Sequence, residues 1–150
     1  MRVLIQRSGE ASVTIDEKIA GEISKGMVVL LGIGHDDTQE DANWLIQKIC
    51  GLRIFNDLEG KMNLPFSEVN GEFLVISQFT LHASTKKGNR PSYINAARPE
   101  VAIPLYTYFV ERLKIMSEVK VATGEFGANM KVALVNDGPV SIWIDSRSRE

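Results

Sequence analysis

Two short segments carry polar groups where a plain scaffold would not need them. The first is Ser77-Gln78-Phe79-Thr80-Leu81, directly after the apolar run Phe73-Leu74-Val75-Ile76. Polar groups at the end of a buried strand mark where a sheet opens to solvent. If the ladder stops there, consecutive backbone N–H groups are free to hold an oxyanion or a carbonyl. The same spacing also fits an ordinary strand that continues with Phe79 and Leu81 inward. The second segment is Asn136-Asp137-Gly138-Pro139, lodged between two apolar runs. It has the composition of a turn. Glycine before proline also offers a bare carbonyl with no Cβ beside it, so a ligand or another backbone can approach closely.

Other chemistry is scarce. There is no P-loop, no G-x-G-x-x-G, no H-E-x-x-H and no G-x-S-x-G. His35 and His82 stand alone in sequence, and the single cysteine, Cys50, sits at core spacing in a helical pattern. No metal and no cofactor is expected. From Phe73 through Pro99 there is no Asp or Glu, while Lys86, Lys87, Arg90 and Arg98 fall in that stretch. A chance gap on a solvated face explains this, and so does a local positive face for a phosphate-bearing partner. The net charge of −2 argues against a non-specific nucleic-acid coat protein.

The elements that must position these residues follow from periodicity. With 150 residues, the chain is expected to form one domain spanning 1–150. Its composition, 44% hydrophobic and 24% charged, excludes a disordered chain and a coiled coil. No apolar run approaches a membrane span, and the first residues turn polar too soon for a signal peptide, so a cytoplasmic location is expected. Arg2 to Arg7 and Ala11 to Ile15 read as strands, with Asp16-Glu17 turning into Lys18 to Ile23 as a hairpin. Met27 to Leu31, between two glycines, predicts a strand buried on both faces. Asp36-Asp37-Thr38 can cap a helix carrying Ala42, Leu45, Ile46, Ile49 and Leu52 on one face, with Glu40 or Asp41 completing a capping box.

Ala96 to Met116 predicts the second helix. Pro99 suits a first helical position, whereas Pro104 makes the helix start or bend there. Val119 to Thr123, Lys131 to Asn136 and Val140 to Asp145 predict three late strands, and Ser146 to Glu150, without an apolar anchor, is expected to fray. The class is α+β. Two helices cannot cover both faces of about seven strands, so another sheet or a second subunit must cover the rest.

In ordered combination these residues resemble the D-aminoacyl-tRNA deacylase family, from Met1 to about Ile144. The likeness is carried by Leu4-Ile5-Gln6-Arg7, by Arg53-Ile54-Phe55 with Gly60-Lys61-Met62-Asn63, and by Ser77-Gln78-Phe79-Thr80-Leu81. It continues through Arg90-Pro91-Ser92, Leu105-Tyr106 with Tyr108-Phe109-Val110, Thr123-Gly124 with Phe126, and Leu134 to Val140. The resemblance implies two mostly antiparallel or mixed sheets packed as a barrel-like core with two main helices. It implies a homodimer that hydrolyses the ester between a D-amino acid and the 3′ end of tRNA, with no membrane and no DNA partner. Glycyl-tRNA mischarged on an alanine tRNA is a further implied substrate.

By the same resemblance Ser77, Gln78, Phe79 and Thr80 form one pocket wall. Gly138-Pro139 is cis and reaches into the partner's pocket, and Arg7, Met130 and Ser141 support it. Lys86, Lys87 and Arg90 are the expected tRNA contacts. Ser141 replaces the family's usual threonine, keeping the hydroxyl, and Pro104 is also unusual. The substrate is an activated ester, so backbone N–H groups around Phe79 and Thr80 suffice to stabilise the tetrahedral oxyanion. Thr80 has no histidine or carboxylate in its motif to activate it. Assistance by the 2′-OH of the terminal ribose is therefore preferred, with Thr80 positioning and polarising. A relative that edits L-amino acids and a non-catalytic RNA-binding module are the competing readings.

Overall fold

A computed structural model describes residues 1–149. Strand β1 (Arg2–Ile15) turns at Asp16-Glu17 into β2 (Lys18–Ile23), as the period-two pattern predicts. Both turn residues have positive φ, 47° and 63°, which matches the right-handed twist of a two-residue hairpin. Strand β3 (Gly26–Gly32) continues along the same edge of β1, pairing Arg2 with Gly32 and Ser8 with Gly26. Strand β6 (Glu72–Ser77) lies parallel to β3, and β7 (Val121–Thr123) parallel to β6. Met27, Val28 and Val29 are fully buried, as an unbroken apolar run between glycines requires. At Gly26, with φ of 147°, a Cβ would fall 1.9 Å from the Glu72 carbonyl oxygen, so β3 and β6 meet there only through glycine.

The other edge of β1 carries β8 (Lys131–Asp145) along almost its whole length. Two strands were expected there. Instead one strand runs through, because β1 pairs it at both ends, with Ser8 facing Asn136 and Gln6 facing Ser141. Asp137 to Val140 bulge out opposite Arg7. The six strands form one mixed sheet that curls on itself. At the seam β2 meets β7 so closely that a Cβ on Gly21 would lie 2.5 Å from the Thr123 carbonyl oxygen. This is the barrel-like core with two helices. A separate ribbon pairs β4 (Phe55–Asn56) with β5 (Met62–Leu64).

The curl creates two cores. Inside it, Ala11, Val13, Ile23, Val28, Leu74 and Ile76 pack together, so the sheet covers its own second face. On the convex side Val3, Ile5, Val29, Phe73 and Val75 meet α1 (Gln39–Gly51) and α2 (Pro99–Ser117). Thr38 caps α1, and its N–H donates to the Asp41 carboxylate at 2.9 Å. Helix α2 starts at Pro99 rather than Ala96 and runs on through Pro104, which forfeits only the bond to the Glu100 carbonyl. Ala102, Tyr106, Phe109, Val110 and Leu113 form its buried stripe, with Leu105 and Tyr108 half-buried beside it. The Tyr106 hydroxyl donates to the Val75 carbonyl at 2.8 Å, fixing α2 to β6.

The tail is anchored at Ser146, contrary to the expected fraying. Ser146 is buried, donates to Asp41 Oδ1 at 2.7 Å and accepts from the Met1 ammonium at 2.9 Å. Arg147 adds an ion pair to Asp37 at 3.0 Å. Polar partners supply the hold that apolar ones do not. Glu150 lies outside the described residues.

Candidate active site

Strand β6 stops at Ser77. The Gln78 N–H still bonds the Leu31 carbonyl at 2.8 Å, but Gln78 itself has φ −145° and ψ 81°, and the chain then winds into a 3₁₀ turn, Phe79–His82. The continuous strand with Phe79 inward is not formed, and Phe79 is 56% exposed. The first N–H groups of such a turn, those of Phe79 and Thr80, have no carbonyl within it to bond. The Gln78 side chain folds back, and its Nε2 donates to Thr80 Oγ1 at 2.5 Å. Thr80 Oγ1 makes no contact with a histidine or carboxylate among the described residues.

A cavity of about 250 Å³ opens beside this break. Ser77, Gln78, Phe79 and Met130 line it, as do Leu31, Ile33, Ala97, Ala102, Phe126 to Ala128 and Val132. The walls are mainly apolar, with Ser77 and Gln78 as polar groups. Thr80 reaches it only through Gln78. Of the far wall only Met130 is an expected pocket residue, because that wall is assembled from sequence-distant pieces. The Ala97 N–H donates to the Ile33 carbonyl at 2.8 Å, which brings Ala97 and the start of α2 over the cavity.

Gly138 and Pro139 are exposed and lie elsewhere on this chain. The bond between them is cis. They project from the bulge opposite Arg7, which pairs with Met27, whereas Ser77 sits beside Leu31, about 13 Å further along β3. Arg7 is buried beneath the bulge. Its Nε donates to the Asp137 carbonyl at 2.8 Å, and its Nη1 to the Ile54 carbonyl at 2.7 Å and Asn56 Oδ1 at 3.0 Å. Ser141 Oγ accepts from Asn136 Nδ2 at 3.0 Å, and Asn136 Oδ1 accepts from the Val140 N–H at 3.0 Å, which closes the bulge from within. Lys86, Lys87 and Arg90 are exposed on the loop after the turn, whose arms pair at Ser84 and Ser92. The Tyr93 ring packs edge-on against Phe79, 5.0 Å between centroids, and so joins that loop to the turn.

Residues 4–145 match the family described as D-Tyr-tRNA(Tyr) deacylase. The chain belongs to this deacylase family. The D-aminoacyl-tRNA deacylases of Flavobacterium psychrophilum and Phocaeicola vulgatus are each 59% identical to it over 150 residues, covering all of both chains. A solved structure of a c-Myc DNA unwinding element binding protein superposes with a TM-score of 0.90 at 38% identity, covering 97% of this chain and 98% of that one. A probable eukaryotic D-amino acid tRNA deacylase, at 16% identity, shares the fold with a TM-score of 0.83 over 95% of this chain and 97% of that one.

Two other groups bear on the deacylase chemistry. Burial pushes the Cys50 thiol up to about 11, so it is no nucleophile at neutral pH. His82, at the end of the turn, is buried, and its Nε2 has no hydrogen-bond partner among the described residues. Burial holds its pKa below the ordinary 6.5. The charges of Arg2 and the N-terminus act the same way, while the Gly32 backbone and Asp37 act against them. The folded state therefore prefers neutral His82, and the stability this confers is complete above pH 6.5 and is lost as pH falls through the lower folded pKa. His82→Gln should flatten the fall in urea-unfolding stability as pH drops below about 6.5. An unchanged slope in that window would place its source elsewhere.

No helix among the described residues is long and apolar enough to cross a membrane.

Proposed function

We propose that this chain is a cytoplasmic D-aminoacyl-tRNA deacylase that works as a homodimer. The observation that carries the reading is the break of β6 at Gln78. It turns the Phe79 and Thr80 N–H groups out of the ladder beside an apolar cavity, in a chain 59% identical to named deacylases. Water attacks the ester carbonyl, and the tetrahedral oxyanion is held by the Phe79 and Thr80 N–H groups. The intermediate collapses with cleavage of the bond to the ribose 3′ oxygen, which takes a proton and leaves as the 3′-OH. The free amino acid departs as its carboxylate. The neighbouring ribose 2′-OH assists the water, since no histidine or carboxylate among the described residues bonds Thr80 to activate it. Thr80 positions the substrate, its oxygen held by Gln78.

Gly138 and Pro139 act in the partner's pocket. Their exposure on this chain and their distance along the sheet from its own cavity support that role. Their carbonyls take the α-ammonium and leave no room for an L side chain. Glycine, having none, is admitted, so glycyl-tRNA charged on an alanine tRNA is a second substrate. Met130 and Ser141 support the pocket and the bulge.

Purified protein should release D-tyrosine from D-tyrosyl-tRNA with multiple turnovers. No aminoacyl adduct should appear on Thr80 by intact-mass spectrometry of quenched reactions. A trapped Thr80 ester would replace ribose assistance with a covalent route. Native mass spectrometry should give a dimer at micromolar concentration, and a monomer that is fully active would end the cross-subunit reading.

The tRNA acceptor stem lies along the loop bearing Lys86, Lys87 and Arg90. Changing Lys86 and Lys87 together to alanine should weaken tRNA binding. It should also reduce the slope of log K against log salt by roughly one unit for each phosphate that is no longer neutralised. An unchanged slope would make these lysines plain surface residues.

A further inference from the structure

The 3₁₀ turn Phe79–His82 has two ends, and only one faces the cavity. At the other end the Leu81 carbonyl lacks a partner within the turn, because the Ala83 N–H bonds Thr80 and the Ser84 N–H bonds Ser92. Arg2 reaches it. Its Nη1 donates to the Leu81 carbonyl at 3.0 Å, while its Nε donates to Asp145 Oδ2 at 2.8 Å.

Register explains why a residue so distant in sequence arrives there. Arg2 lies between Gly32 on β3 and Asp145 on β8, opposite both. Gly32 has no side chain to stand in the way. A Cβ on it would fall 2.9 Å from the Gln78 carbonyl oxygen and 3.0 Å from Leu81 Cβ, so the turn sits directly on bare backbone. The Arg2 guanidinium also lies over the Trp143 ring, 5.7 Å from its centroid. Burial alone would raise the Asp145 pKa. The hydrogen bonds from the Arg147 N–H and from Arg2 outweigh it and hold the carboxyl below its usual value, so Asp145 is charged at neutral pH.

We propose that Arg2, braced by Asp145, is a positioning residue for hydrolysis. It clamps the Leu81 carbonyl and so fixes the direction in which the Phe79 and Thr80 N–H groups point at the opposite end of the same turn. The guanidinium suits this task, because its fork serves a carbonyl and a carboxylate at once, and a cation belongs at the carbonyl end of a helical turn. The inference rests on the deacylase reading above.

The test is steady-state hydrolysis of D-tyrosyl-tRNA by the wild type, Arg2→Ala, Arg2→Lys, Asp145→Ala and the double variant Arg2→Ala/Asp145→Ala. Removing a charge-assisted bond from the turn should lower kcat by about tenfold to a hundredfold in Arg2→Ala, with KM within about twofold of wild type. Arg2→Lys should recover part of kcat, since an ammonium still reaches Leu81. Asp145→Ala should lose less than Arg2→Ala, and the double variant should be no worse than Arg2→Ala alone.

Wild-type kcat in Arg2→Ala, a loss confined to KM, or Arg2→Lys no better than Arg2→Ala would each overturn the clamp. Those results leave wild-type activity intact, so they are distinct from a wild type that releases no D-tyrosine, which removes the deacylase reading itself. If Arg2→Ala does not fold, hydrogen exchange of the Leu81 and Ala83 amides, which are bonded within the turn, decides in Arg2→Lys. Faster exchange there than in wild type supports the clamp, and unchanged exchange refutes it.

Discussion

Arg7→Ala is expected to cost both stability and activity more than any other single side-chain truncation near the bulge. The Arg7 guanidinium is buried and holds three acceptors, the carbonyls of Ile54 and Asp137 and the Asn56 side chain, with the Asp137 carboxylate 3.4 Å away. Truncation leaves the buried Ile54 carbonyl unpaired, at a penalty of about 1–3 kcal/mol, while the exposed Asn56 and Asp137 groups turn to water. A net loss of about 1–3 kcal/mol is therefore expected, read as a lower urea midpoint.

Activity should fall further than stability explains, because Arg7 is what fixes Asp137 and, through it, the neighbouring Gly138 and Pro139. At a temperature where the variant is fully folded, hydrolysis of D-tyrosyl-tRNA should still be down by about a hundredfold, equivalent to about 2.7 kcal/mol of transition-state stabilisation. Arg7→Lys should recover little, since one ammonium cannot bridge three acceptors spread over two segments. A folded Arg7→Ala protein with near wild-type turnover would show that the bulge needs no support.

Phe79→Pro is the sharpest probe of the amide at the break. Phe79 is the first residue of the turn, a position that tolerates proline, and Gln78 before it is already outside the helical region. The substitution removes one N–H and leaves the turn able to form. If that N–H holds the oxyanion, kcat should fall by about 10²–10³. Phe79→Ala is the matched control. It removes the ring and its packing against Tyr93 but keeps the amide, and should retain activity within about tenfold. Equal losses in the two variants would assign the effect to the ring rather than to the amide.

What was legible in the sequence, and what was not, divides by the range of the interactions involved. The β1–β2 hairpin follows from alternation and two turn residues, and the capping box of α1 from Thr38 and Asp41, all within a few residues of each other. The burial of β3 follows from its own five apolar residues. The break after Ser77 was not decidable locally, because Phe79 and Leu81 fit a continuing strand. The turn forms where the glycine at position 32 lets it sit on β3, and that approach spans some fifty positions of sequence. The unbroken course of β8 likewise depends on pairing with β1, and the hold on Ser146 on Met1 and Asp41. The placement of Ser77, Gln78, Phe79 and Met130 on one cavity was expected only from the family resemblance. The opposite wall, Ala97 to Ala102, carries no pattern of its own beyond that of a helix start.

The central claim is chiral hydrolysis of aminoacyl-tRNA, and the most direct measurement is a matched pair of time courses. Purified wild-type protein is mixed with D-tyrosyl-tRNA in one tube and L-tyrosyl-tRNA in another, and the esterified fraction is followed by acid precipitation. The account predicts that the D-ester disappears at an enzyme concentration where the L-ester decays no faster than in buffer. Equal decay of the two esters, or cleavage of the L-ester alone, would contradict it.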